Sequence, residues 1–176
     1  MPLVNGASLV LHTENIIKNI FEFCNSIIYN NVTALYIPPN ILNEVYGLLK
    51  DNPNCKISKL LVGVEPIRKK TLNQFYNLNK DMIIVNGYGP TETTICATAL
   101  KYKKDLSNNG IVSIGRPIHN NEIYILDYNK NIVPIGIVGE IYVAGDGVGL
   151  GYLNNETETN KNYITHVING NTVRLY

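Results

Sequence analysis

An excess of charge of either sign is missing from this sequence. Fifteen lysines and arginines stand against 14 aspartates and glutamates, a formal net charge of +1, so neither nucleic acid nor an acidic membrane surface is an expected partner. Cysteine is scarce: Cys24, Cys55 and Cys96 lie far apart with no Cys-x-x-Cys spacing. An odd number at such distances argues against a secreted disulfide framework and fits a reducing cytoplasm. No apolar run approaches the ~20 residues that span a bilayer, and Met1-Pro2-Leu3 opens without a basic leader, so a soluble, cytoplasmic chain is expected. A Gly-x-x-x-x-Gly-Lys phosphate loop is also lacking. His12, His119 and His166 stand apart from one another and from cysteine or carboxylate clusters at ligand spacing, which argues against a structural metal.

What is present suffices for one sizeable core: 176 residues, 45% of them hydrophobic. Leu3 to Leu11 reads as a strand with a turn at Asn5-Gly6, and Thr13 as the cap of a helix from Glu14 to about Tyr29, whose Ile16, Ile17, Ile20, Cys24, Ile27 and Ile28 recur at helical spacing. Val32 to Ile37 is a short strand stopped by Pro38-Pro39. Asn40 can cap a second helix, with Ile41, Val45, Leu48 and Leu49 on one face. Lys59 to Val64, a helical stretch near Ile67 to Tyr76, and the apolar Met82-Ile83-Ile84-Val85 complete a βαβαβ pattern of parallel strands, the last covered on both faces. After about Lys104 short alternating segments with Gly and Pro turns take over, Ile123 to Leu126 and Gly139 to Val143 among them. The fold class is therefore α/β: a mostly parallel portion over residues 1–104, then a short-stranded, antiparallel, barrel-like portion over 105–176, with Lys101 to Gly110 as a surface connection.

The densest chemistry is Asn86-Gly87-Tyr88-Gly89-Pro90-Thr91-Glu92-Thr93-Thr94, directly after the apolar strand, where open α/β sheets place their ligands. Gly87 and Gly89 allow backbone to approach a flat ligand, Tyr88 offers a stacking face, and Pro90 stiffens the turn. Thr91 supplies a hydroxyl for a phosphate, and Glu92 a carboxylate suited to Mg²⁺, which takes one or two carboxylates plus phosphate oxygens. Gly145-Asp146-Gly147-Val148-Gly149 resembles a dinucleotide loop superficially, but Leu150 stands where the third glycine belongs. Cys96 has no histidine near it in sequence and reads as packing rather than as a nucleophile.

This nonamer resembles the Tyr-Gly-Pro-Thr-Glu motif of adenylate-forming enzymes, in the form used by the amino-acid adenylation domains of nonribosomal peptide synthetases. Leu61-Val62-Gly63-Val64-Glu65-Pro66 is similar to that family's Gly-Gly-Glu segment, with Val64 in place of the second glycine. Ile114-Gly115-Arg116-Pro117 and Gly139 to Gly145 resemble its Ile-Gly-Arg-Pro and Gly-Glu-Leu segments, followed by Gly147, Gly149 and Gly151-Tyr152, with Leu150 where the family usually has arginine. Arg174-Leu175-Tyr176 looks like the approach to the Thr-Gly-Asp motif. The family's upstream phosphate loop, its ribose-binding aspartate and its C-terminal subdomain with the catalytic lysine have no counterpart, so the resemblance is to part of the large N-terminal portion of such an enzyme.

The resemblance implies activation of an amino acid by ATP and Mg²⁺ to an aminoacyl adenylate, then transfer to the phosphopantetheine of a carrier protein. It places the nucleotide near Gly63, Val64, Glu65, Asn86, Gly87, Tyr88, Gly89 and Thr91. Tyr88 would stack adenine, Asn86 would bond its amino group, Thr91 would touch phosphate and Glu92 would hold the metal, Thr91 and Glu92 being the catalytic pair. The same resemblance puts Tyr36, Leu61, Gly63, Gly87, Ile95 and Cys96 on the amino-acid pocket, a mostly apolar wall that favours an apolar side chain. The partners would be the amino acid, a carrier domain and the remaining parts of the same synthetase, with negligible adenylation by this chain alone. Two alternatives stay open: a fragment of an acyl-CoA or aryl-acid ligase, or a non-catalytic remnant serving as an interaction module.

Overall fold

The computed structural model describes residues 3–105, 107 and 109–176. The reading of Met1-Pro2 and the Leu106 and Asn108 positions of the expected connection lie outside the described residues. Two helices come first, α1 (Glu14–Lys18) and α2 (Ile20–Tyr29), then β1 (Ala34–Tyr36), α3 (Leu42–Leu49), β2 (Lys59–Gly63), α4 (Lys69–Phe75), β3 (Ile83–Tyr88) and β4 (Thr98–Tyr102). They are followed by β5 (Arg116–Pro117), β6 (Asn121–Leu126), β7 (Glu140–Gly145), α5 (Glu156–Asn162), β8 (Ile164–Ile168) and β9 (Asn171–Leu175). Strands β1 to β5 form one sheet in sequence order, with β1 and β2 parallel and β4 and β5 antiparallel. Two compact units divide the chain, one of residues 1–85 and 101–112, the other of residues 86–100 and 113–176. The division thus falls inside β3 and β4.

In the first unit, Leu42, Val45 and Leu49 of α3, Leu72 and Phe75 of α4, and Leu60 and Val62 of β2 are buried, as the helical and alternating spacings require. Full burial of a side chain of this size contributes roughly 1.5–3 kcal/mol. The expected single helix from Glu14 is two helices. Asn19 leaves the helical region (φ −106°, ψ 103°) and its side chain accepts from the Phe21 and Glu22 amides, the competition with backbone that makes asparagine a cap rather than an interior residue. Thr13 makes no side-chain cap bond, and Asn40 sits inside a short 3₁₀ turn, Pro39–Ile41, without capping α3. Leu3 to Leu11 is not a strand: Leu3–Asn5 is a 3₁₀ turn, Gly6 follows at φ +75°, and the rest has no ladder partner. Ile84 is fully buried but Ile83 is exposed, so β3 is covered less completely than its apolar run suggests.

In the second unit, β6 and β7 pair antiparallel over their whole length, as do β8 and β9. Leu126, Tyr142, Ala144, Ile168 and Leu175 form the core between these hairpins. Beyond β9, Tyr176 exchanges both backbone hydrogen bonds with Val143, at 2.9 and 2.8 Å. No barrel closes among the described residues, because closure needs continuous pairing around the ring and these hairpins remain two-stranded sheets. Helix α5 is capped by Asn155, whose side chain accepts from the Glu158 amide. Among the described residues no helix is long and apolar enough to cross a membrane.

Candidate functional site

Strand β3 delivers the Asn86 to Thr94 motif. Asn86 is buried, and its Nδ2 donates to the Ser113 carbonyl at 2.9 Å. The neighbouring Ile114 carbonyl accepts from Thr98 Oγ1 at 2.7 Å, so the Ile-Gly-Arg-Pro segment is the tie that seats β3 and β4 in this unit. Tyr88 is half-buried and lines a cavity of about 280 Å³ shared with Pro90, Lys130, Tyr142, Lys161 and Tyr176. Gly89 has a structural reason of its own: a Cβ there would stand 2.5 Å from the Ala97 nitrogen, because the chain folds back so that the Ala97 amide donates to the Tyr88 carbonyl at 2.8 Å. The close approach that Gly89 permits is therefore to the protein's own backbone.

After Pro90 the chain makes a 3₁₀ turn, Thr91–Thr93, and then two consecutive left-handed residues, Thr94 (φ +60°) and Ile95 (φ +70°). β-Branched residues disfavour that region by roughly 1–2 kcal/mol each, so surrounding bonds must hold the turn. They do. The Ile95 amide donates to the Pro90 carbonyl at 3.2 Å, and Thr94 Oγ1 donates to the Gly147 carbonyl at 2.8 Å. The Gly149 amide donates to the Glu92 carbonyl at 2.7 Å. Gly149 comes so near that a Cβ would lie 3.1 Å from that oxygen and 3.3 Å from the Tyr163 hydroxyl. The glycine-rich segment 145–151, whose dinucleotide likeness fails, is thus a clamp on the Thr91 to Ile95 turn.

The clamp ends in Tyr152, whose hydroxyl donates to Glu92 Oε1 at 2.7 Å. Tyr176 Oη lies 3.4 Å from the Tyr152 hydroxyl, and the Tyr163 ring packs against both, with centroids 5.6 and 5.0 Å away. The Arg174 guanidinium covers Tyr163 at 4.9 Å and donates to the Leu150 carbonyl at 2.6 Å. The Tyr152 hydrogen bond holds the Glu92 carboxyl below the usual carboxylate range, since a donor to the charged form favours it. Tyr176 and Glu92 together push the Tyr152 phenol upward. Among the described residues no lysine or arginine pairs with Glu92. An anionic, oriented carboxylate without a cation of its own suits Mg²⁺. Among the described residues no three His, Cys, Asp or Glu side chains gather as a metal cage, so the ion would need phosphate oxygens to complete its shell. Thr91 is exposed at the head of the same turn.

The remaining sequence-derived positions fall in both units. In the first, Tyr36 and Leu61 are direct partners across β1 and β2 and remain 43% and 41% exposed. Gly63 ends β2 buried, Val64 follows at φ +77° and is 69% exposed, and Glu65 is exposed. Val64 explains the family's glycine there: the conformation is one that glycine adopts freely and valine does not. In the second unit Gly87 is buried, Cys96 half-buried and Ile95 71% exposed. Sequence reasoning gave Tyr152, Tyr163 and Tyr176 no role. The available signal was the alternation Gly147, Gly149, Gly151 before Tyr152, a spacing that suits close backbone approach.

Comparison with known proteins agrees with this geometry. Residues 1–153 match the family model described as AMP-binding enzyme. Malpibaldin synthetase of Mortierella alpina is 32% identical over 87% of this chain and 3% of its own length. Tyrocidine synthase 3 of Brevibacillus parabrevis is 32% identical over 92% and 2%, and bacitracin synthase 1 of Bacillus licheniformis 34% over 93% and 3%. The chain therefore spans 2% to 3% of the length of these relatives. The fold matches that of an NRPS protein containing adenylation and PCP domains, with TM-score 0.78, 22% identity, and 89% of this chain against 32% of that one covered. It also matches the N-terminal subdomain of Klebsiella oxytoca NpsA, solved with 3-hydroxybenzoyl-AMSN, with TM-score 0.73, 19% identity, and 90% against 40% covered. On the motif, the fold and the family match together, the chain belongs to the AMP-binding enzyme family, with nonribosomal peptide synthetases among its relatives.

Proposed function

We propose that this chain forms part of an adenylation site that activates an amino acid with ATP. The observation that carries the reading is the pairing, within one unit, of Tyr88 on a cavity of about 280 Å³ with a Glu92 carboxylate oriented by Tyr152 and lacking a cationic partner among the described residues. Tyr88 stacks the adenine. With the Asn86 Nδ2 engaged by Ser113, its Oδ1 is the acceptor for the adenine amino group. The Thr91 hydroxyl contacts phosphate. Glu92 holds Mg²⁺, which supplies charge neutralisation on the phosphates when bound. The amino-acid carboxylate then attacks the α-phosphorus, the bond to pyrophosphate breaks, and an aminoacyl adenylate results. Positioning and electrostatics do most of the work in such a phosphoryl-centred substitution.

In the first unit the paired Tyr36 and Leu61 offer a mostly apolar wall, which would favour an apolar amino-acid side chain over a charged one. The product passes to a phosphopantetheine thiol on a carrier domain, in the setting of the longer synthetase. Titrating Mg²⁺–ATP calorimetrically into the chain and into Tyr88→Ala tests the reading. Base stacking on an aromatic ring is worth ~1–3 kcal/mol, so the variant should bind ~10-fold or more weakly; equal affinity would sink the assignment of Tyr88.

A further inference from the structure

We infer that Tyr152 is a positioning residue for the metal ligand Glu92, so that the glycine clamp and its tyrosine pair set the strength of metal binding at this site. The inference rests on the proposed role of Glu92 and goes beyond it. Glu92 lies in a turn of three residues, and its side chain has no cation to fix it among the described residues. Its orientation comes instead from 60 residues away in sequence, where Tyr152 Oη meets Oε1 at 2.7 Å.

Tyr152 is itself fixed at several points. Its backbone amide donates to Thr159 Oγ1 of α5 at 2.9 Å, its ring stands edge-on to the buried Tyr163 at 74°, and its hydroxyl lies 3.4 Å from that of Tyr176. The main chain on either side is tied as well. Gly149 bonds the Glu92 carbonyl, and the Leu150 carbonyl accepts from Arg174 at 2.6 Å. A phenol immobilised in this way has one donor proton, and it is directed at the carboxylate. That is the arrangement by which outer residues orient a metal-ligating carboxylate, and removal of such partners typically weakens metal binding 10–100-fold.

The test compares wild type, Tyr152→Phe, Tyr176→Phe and Glu92→Gln. ATP affinity is measured in EDTA by calorimetry, and Mn²⁺ affinity of the protein–ATP complex by electron paramagnetic resonance. Tyr152→Phe should leave metal-free ATP binding within twofold and weaken Mn²⁺ by 10–100-fold. Tyr176→Phe, whose backbone pairing with Val143 is untouched, should give a smaller loss of the same sign, so the outcome does not hang on the folding of one variant. Glu92→Gln should lose the metal effect altogether. If Glu92→Gln binds Mn²⁺ like wild type, the metal role of Glu92 fails and the inference with it. If Glu92→Gln loses the metal but both tyrosine variants keep wild-type Mn²⁺ affinity, the inference alone is overturned. Equal weakening of metal-free ATP and of Mn²⁺ in Tyr152→Phe would assign the tyrosine to architecture and overturn it too.

Discussion

The two units treat a carboxylate in opposite ways. In the first, Asp105 is compensated by Lys69 at 2.6 Å, while its backbone amide and carbonyl are taken up by buried Asn73 at 3.1 and 2.5 Å, and Asn73 also accepts from the Tyr102 hydroxyl at 2.9 Å. Every partner belongs to the protein and the charge is cancelled. In the second, Glu92 receives the Tyr152 hydroxyl and, among the described residues, no ammonium. Its charge is favoured but not cancelled. An acid stabilised without being neutralised is what the proposed Mg²⁺ role requires, and the contrast separates a structural ion pair from a candidate ligand more clearly than either site does alone.

The largest effect that would test this contrast is on the first unit as a scaffold. Phe75 is fully buried, and Phe75→Ala should cost ~3–5 kcal/mol in urea denaturation; a loss below ~1 kcal/mol would show that this core is not what holds the unit together. Smaller and of opposite sign is Val64→Gly. Relief of a β-branched residue at φ +77° outweighs the greater chain entropy of glycine, and stability should rise by ~0.5–1 kcal/mol; a fall would mean that the valine side chain contributes packing despite its exposure. Smallest is the Lys69–Asp105 pair, which is partly exposed and screened. The Lys69 hydrogen bond, with help from Ser107, lowers the Asp105 carboxyl from 3.8 to about 2. A folded-state value below the unfolded one adds stability above the unfolded value and loses it as pH falls through the folded one. Wild type should therefore exceed Lys69→Met in melting temperature at neutral pH, the gap closing between pH 3.8 and about 2. A gap that persists at pH 2 would place the stabilisation in the lysine stem.

Elements with strong periodicity were legible from sequence. Helices α2 and α3 and strands β2 and β3 follow from apolar spacing. Leu3 to Leu11 was not legible, because alternation of apolar residues promises a strand only if a partner edge is in reach. Asn19 was missed because its side chain satisfies two amides of the next helix, a choice that periodicity does not register. The short-stranded antiparallel half was legible too, but strand-forming residues do not encode whether hairpins join into a ring. At the site, Tyr88, Thr91 and Glu92 sit in one short motif and were visible together. Tyr152 was not, since its bond to Glu92 bridges 60 residues and no spacing rule connects them.

The Gly149 amide offers a spectroscopic handle on this arrangement. Its 2.7 Å bond to the Glu92 carbonyl joins the glycine segment to the turn that carries the carboxylate, and that proton can exchange with deuterated solvent only when the two part. Its exchange rate in a labelled sample is therefore a direct clock for how often the acidic turn is released, readable without nucleotide, metal or turnover.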